Sequence, residues 1–137
     1  MLRELDSSLK QLRRDRVDLY LVHEPDQFEL TDDLKEVFAG LKLNGMVGAF
    51  GLAWGRVADA GTGFGTVAQG RHAANLPAYG IEGETRILHG ALRHDWHGKL
   101  GAAGIRIRQV LDAHPDAAVV FSASAPNQIH SITRQLL

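Results

Sequence analysis

The chain has 137 residues, 45% of them hydrophobic and 23% charged, with a formal net charge of −1. That is one domain's worth of ordinary globular material with enough apolar content for a sizeable core. Balanced, interspersed charge excludes an electrostatic nucleic-acid or anionic-membrane surface. The lack of cysteine excludes disulfides and thiolate metal sites.

Leu2, Leu5, Leu9 and Leu12 share one face of a helix expected over residues 2–14, with charged residues elsewhere. This charged amphipathic start is not a signal peptide. No apolar run reaches the roughly 18 residues needed to cross a bilayer. A soluble, cytoplasmic protein is the expectation.

Residues 17–23, Val-Asp-Leu-Tyr-Leu-Val-His, form a near-continuous apolar run and read as a strand buried on both faces, as in parallel sheets. By alternation, Val17, Leu19, Leu21 and His23 point one way, and Asp18, Tyr20 and Val22 the other. If the first set faces a barrel interior, His23 is its topmost member, at the mouth where α/β barrels keep their chemistry. After a loop at Pro25, Thr31 is a plausible N-cap, with Asp32 and Asp33 suiting the positive end of a helix. Leu34, Val37, Phe38 and Leu41 make that helix's apolar stripe, and Asn44-Gly45 stops it. A second buried strand is expected at 46–54. The succession is a βα repeat.

The middle carries less signal. Gly55, Gly61, Gly63, Gly65 and Gly70 disfavour regular structure, each costing a helix interior about 1 kcal/mol relative to Ala. The expectation is a loop followed by a poor helix near 65–75. Short strands are expected at 77–82 and 85–92, with a polar turn at 94–98. Leu100, Ala103, Ile107, Val110 and Leu111 define another helix, ended near His114-Pro115. Ala117 to Phe121 reads as a strand, followed by a last helix with Ile129, Ile132 and Leu136 inward.

Two local patterns read as structural rather than chemical. Gly61-Thr-Gly-Phe-Gly65 lacks a sixth-position glycine, and it does not directly follow a strand, so it reads as a loop and not a dinucleotide motif. His89, His94 and His97 match no zinc spacing and read as polar surface histidines. Trp54 and Trp96 read as packing or rim residues.

Ser8-Leu-Lys-Gln-Leu12 followed by Val17-Asp-Leu-Tyr-Leu-Val-His-Glu-Pro25 resembles the aldo-keto reductase family, in which such a helix leads into a strand ending His-x-Pro. The helix, glycine turn and strand from Leu34 to Gly51 follow in family order. Val119 to Ile129, Val-Val-Phe-Ser-Ala-Ser-Ala-Pro-Asn-Gln-Ile, resembles the strand and helix start that hold the cofactor's adenosine phosphate. The resemblance covers 5–54 and 105–136 well and the segment between them weakly.

The resemblance implies an α/β fold, a partial (half) TIM barrel of parallel strands alternating with helices. It implies a single domain over 1–137 that lacks its N-terminal half and begins in the helix before the fourth strand. A complete barrel needs about 250 residues. The implied activity is NADP(H)-dependent reduction of aldehydes and ketones. In the family a Tyr acts as general acid, tuned by a Lys and an Asp, while a His orients the substrate oxygen. Only the His has a counterpart, His23, so the chain reads as catalytically incomplete. Tyr20 is expected to face the outer helices. Ser122, Ser124 and Gln128 are the implied cofactor-binding residues, beside a helix N-terminus suited to an anion. Helix capping by the serines is the alternative. No Lys or Arg lies between 119 and 129. The family's Ser-Asn at the end of its fifth strand is here Ala53-Trp54, and Glu82 is the candidate for its sixth-strand Gln. The implied partner is a small-molecule carbonyl substrate, with no nucleic acid, no membrane and no metal. The other readings are a non-catalytic remnant that binds a nucleotide or a partner, self-associating through exposed sheet edges, or a C-terminal fragment of a full-length reductase.

Overall fold

The structure, a computed structural model, describes residues 2–53, 64–72, 85–92 and 100–137. Helix α1 (Leu2–Leu12) leads into β1 (Val17–His23), a 3-10 turn (Gln27–Glu29), α2 (Asp32–Leu43) and β2 (Val47–Ala53). Then come β3 (Val67–Arg71) and β4 (Thr85–His89), followed by a 3-10 turn (Leu100–Ala102) that runs into α3 (Ala103–Ala113). Strand β5 (Ala117–Val120) and α4 (Pro126–Leu136) complete the order. The strands form one five-stranded sheet in sequence order, and every pairing is parallel.

Local chemistry sets the element ends. The Thr31 hydroxyl oxygen accepts from the Leu34 backbone N–H at 3.2 Å, capping α2, and Asp32 and Asp33 occupy its first turn. Gly45, at φ 72°, takes the left-handed conformation that ends α2. The Met46 N–H then donates to Leu41 O, swinging the chain into β2.

Helices cover one face of the sheet. Leu5 and Leu9 of α1 pack with Leu41 and Val47, with Val17 and Tyr20 of β1 alongside. Phe38 of α2 is fully buried between Leu52 and Phe64. Ile107 of α3 and Ile132 of α4 form a separate cluster with Ala103, flanked by Val119 and Phe121. Tyr20 stacks on Phe38 at 5.6 Å between ring centroids, so it faces the helices as alternation requires.

Four expectations are corrected. The poor helix near 65–75 is instead β3, hydrogen-bonded between β2 and β4, with Val67 3% exposed. Ladder bonds and burial of Val67 outweigh the weak local preference of a glycine-rich segment. Strand β1 is not buried on both faces: none of its seven residues is fully buried, and Leu19 is 40% exposed. Among the described residues it pairs only with β2, as the edge strand of the sheet. Ile129 is 47% exposed, whereas Ile132 is buried; α4 turns a narrower face inward than the three apolar positions suggested. The strand expected from 46 begins at Val47, and those expected at 85–92 and 117–121 are shorter, at Thr85–His89 and Ala117–Val120. The expectations at 77–82, 94–98, Gly61–Gly63, Trp54, Glu82, His94, Trp96 and His97 lie outside the described residues.

Candidate functional site

The parallel register carries side chains across the sheet in rows. His23 pairs with Ala53, Ala53 with Gln69, Gln69 with Ile87, and Ile87 with Ala118. One step further up, Arg71 pairs with His89, and His89 with Val120. Residues in one row share a face, so His23, Gln69 and His89 rise from the side opposite the helices.

A cavity of about 630 Å³ opens at the C-terminal ends of the strands. Its polar lining is His23 from β1, Gln69 from β3, His89 from β4, Ser122 and Ser124 from the β5–α4 connection, and Gln128 from the first turn of α4. Ala53, Leu92, Val120 and Phe121 supply apolar wall. The four residues singled out from sequence therefore meet in one space, although about a hundred positions separate His23 from Ser122. Among the described residues, the lining contains no Lys, Arg, Asp or Glu, and its titratable side chains are His23 and His89.

Backbone bonds hold the strand tops. The Glu24 N–H donates to Ala53 O at 2.7 Å, extending the β1–β2 ladder just past His23. Glu24 itself is left-handed at φ 45°, so the chain leaves the strand abruptly there. The His72 N–H donates to His89 O at 2.8 Å, and Gly90 at φ 77° turns the chain away after His89.

The start of α4 is organised differently from a serine cap. Its N-cap is Ala125, with no side-chain bond, followed by Pro126. Gln128 reaches back instead: its Oε1 accepts from the Ser124 N–H at 2.9 Å and the Ser124 hydroxyl at 3.2 Å. This is the outward-reaching half of a capping box, displaced by one residue.

Two cavity residues were not legible from sequence as site residues. Gln69 was hidden because its segment read as helix, and the Gln position was sought at Glu82. His89 read as a surface histidine; β4 instead places it in the cavity lining, because it is an inner-facing residue at a strand top.

No family model and no curated protein sequence matches the chain. Solved structures do match. A Pseudomonas aeruginosa protein assigned to the aldo-keto reductases aligns over 98% of this chain and 59% of its own, with a TM-score of 0.70 and 22% identity. An aldo-keto reductase from Brucella melitensis aligns over 96% and 60%, with a TM-score of 0.70 and 21% identity. The apo form of one from Bacillus halodurans aligns over 98% and 61%, with a TM-score of 0.73 and 16% identity. The fold is that of a partial aldo-keto reductase barrel. The chain spans about three-fifths of the length of these neighbours. An aldo-keto reductase barrel is an α/β barrel of eight strands, and the described part of this chain supplies five. Helices cover the outer face. The inner face of both edge strands is open, with Leu19 of β1 40% exposed and Val120 of β5 50% exposed. Between them Val67 and Ile87 are buried.

Proposed function

We propose that this chain forms the cofactor-holding portion of an aldo-keto reductase-like oxidoreductase. In this reading the mouth cavity takes a nicotinamide dinucleotide, NADP(H) by the resemblance, and His23 faces an aldehyde or ketone. One observation carries it: His23, Gln69, Ser122, Ser124 and Gln128 line a single cavity at the strand ends of this partial barrel. That is where α/β barrels place their chemistry, and about 630 Å³ lies within the usual range for a ligand pocket.

The bound dinucleotide would supply the hydride. The His23 imidazole offers a hydrogen bond to a carbonyl oxygen, orienting it. The Gln69 amide has both a donor and an acceptor and so matches a carboxamide. Ser122, with a hydroxyl that both donates and accepts, suits sugar and phosphate oxygens. Ala53 provides close apolar contact only.

The set is incomplete for turnover. No Tyr, Lys or Asp is among the described residues that line the cavity, and Tyr20 is stacked on the helix side. A missing general acid costs a factor of roughly 10²–10⁴ in rate. The test is titration of the purified chain with reduced dinucleotide, followed by fluorescence, together with an assay of nitrobenzaldehyde reduction. Binding with little turnover is the expected result. If neither dinucleotide binds, the reading is wrong; turnover at ordinary enzyme rates would remove the claim of incompleteness.

A second reading, a partner-binding or self-associating protein without catalysis, is favoured by the two open edges. Strands β1 and β5 each pair on one side only among the described residues, and Leu19 and Val120 leave apolar surface beside them. Sedimentation of the purified chain distinguishes it: a concentration-dependent oligomer that fails to bind dinucleotide supports this second reading.

A further inference from the structure

Arg71, the last residue of β3, pairs in register with His89, and His89 with Val120. His89 and Val120 both line the cavity, as does Gln69, two residues below Arg71 on the same strand. Partners in one parallel row share a face, and so do alternate residues of one strand. Arg71 therefore stands on the cavity's side of the sheet, at its rim. We propose, resting on the dinucleotide reading above, that Arg71 is the anion-binding residue of this site and holds the diphosphate that joins the two nucleosides.

Gly90 gives the Arg71 side chain its course. The Arg71 Cγ lies 3.4 Å from the point that a Gly90 Cβ would occupy. The stem thus crosses from β3 to the end of β4, against a residue that itself lines the cavity. Position 90 has a φ of 77°, a conformation that suits glycine. Without a side chain there, the backbone is open to close approach by a ligand.

The order of the strands selects the diphosphate. In the dinucleotide reading Gln69 of β3 meets the carboxamide at one end of the ligand. Ser122, just past β5, meets sugar or phosphate oxygens towards the other. Strand β4 stands between β3 and β5 in the sheet. A ligand laid from Gln69 to Ser122 passes over the end of β4, at Gly90, and the middle of a dinucleotide is its diphosphate. That group is anionic at neutral pH, and a guanidinium meets phosphate oxygens through paired N–H donors.

The experiment titrates NADH and NADPH separately into the full chain and into its Arg71→Met and Arg71→Lys variants, at low and at high ionic strength, with urea unfolding of each protein. Arg71→Met should weaken both dinucleotides alike, by about tenfold at low ionic strength, the scale of one charge-assisted hydrogen bond. Arg71→Lys keeps the charge and should lose less, and its advantage over Met should shrink as salt screens that charge. A loss confined to NADPH would assign Arg71 to the 2′-phosphate and overturn the proposal. Unchanged affinity overturns it and leaves the dinucleotide site standing. Equal losses in the two variants that persist at high ionic strength, with a lowered urea midpoint, mean that the stem only packs on Gly90, and they overturn it too. Failure of the unaltered chain to bind either dinucleotide sinks the dinucleotide reading and the Arg71 assignment together.

Discussion

Gly51 of β2 lies directly against the carbonyl of Val67 on β3. A Cβ added at Gly51 would overlap the Val67 oxygen, carbon and Cα, all of them backbone atoms. The two strands approach this closely because position 51 has no side chain. The contact also sets the height of Gln69, two residues above Val67 in the same ladder. Gly51→Ala should destabilise the fold by about 1–3 kcal/mol, since backbone cannot yield as a flexible side chain would. Gly40, inside α2, has nothing within 4 Å of its added Cβ, so Gly40→Ala should stabilise by up to about 1 kcal/mol. Urea unfolding of the two variants should therefore move in opposite directions. A Gly51→Ala midpoint no lower than that of the unaltered chain would show that β2 and β3 are not packed this way.

Phe38 should be the costliest single truncation in the helix-side core. It is fully buried and its ring lies 5.6 Å from Tyr20, 5.1 Å from Phe50 and 5.3 Å from Phe64, centroid to centroid. Phe38→Ala is expected to cost about 3–5 kcal/mol. Removing the cap by Thr31→Ala should cost only about 1 kcal/mol. The ordering of the two, read from chemical denaturation, is the check.

Stability should decline at strongly alkaline pH, in part through Tyr20. Burial of its phenol pushes the pKa above the usual tyrosine value, and the nearby Glu4 carboxylate adds to this. Raising the folded-state pKa means that the unfolded chain loses its proton first as pH climbs. The contribution is thus complete below about pH 10 and falls away above it. Tyr20→Phe should flatten that part of the stability curve in a thermal-melt series from pH 8 to 11. An unchanged slope would mean that Tyr20 is not the group responsible.

Gln69 is the sharpest probe of the cavity, because it entered the site only through the sheet register. Gln69→Leu keeps the approximate size and removes both polar atoms, so reduced dinucleotide should bind about three- to tenfold more weakly. His23→Ala, on the substrate side of the proposed site, should leave that affinity within about twofold. Fluorescence titration of the two variants separates the roles. The opposite pattern would reverse the orientation in which the dinucleotide is proposed to lie.

Much of the fold follows from local signals. The apolar run Val17 to His23, the cap at Thr31, the stop at Asn44-Gly45 and the stripe through Ile107 and Val110 each reside within a dozen residues, and each lies where sequence reading puts it. The segment from Val67 to Arg71 fails that test: it is short and holds a glycine, and its strand state is imposed by neighbours on both sides. With that segment read as helix, Gln69 could not be placed in the site. A residue's face cannot be read until its strand and that strand's register are known. The exposure of β1 was missed for a related reason: an apolar run shows that a strand can be covered, but not whether anything lies against its inner side.

The sequence by itself determined the parallel βα character, the helix ends and the position of His23 at a strand terminus, because capping, periodicity and glycine conformation act over a few neighbouring residues. Only the tertiary structure decided that His23, Gln69, His89 and Ser122 share one cavity, and that β1 and β5 each pair on one side only among the described residues. Those facts depend on hydrogen-bond register between strands far apart in the chain, where a slip of a single residue turns every side chain to the other face.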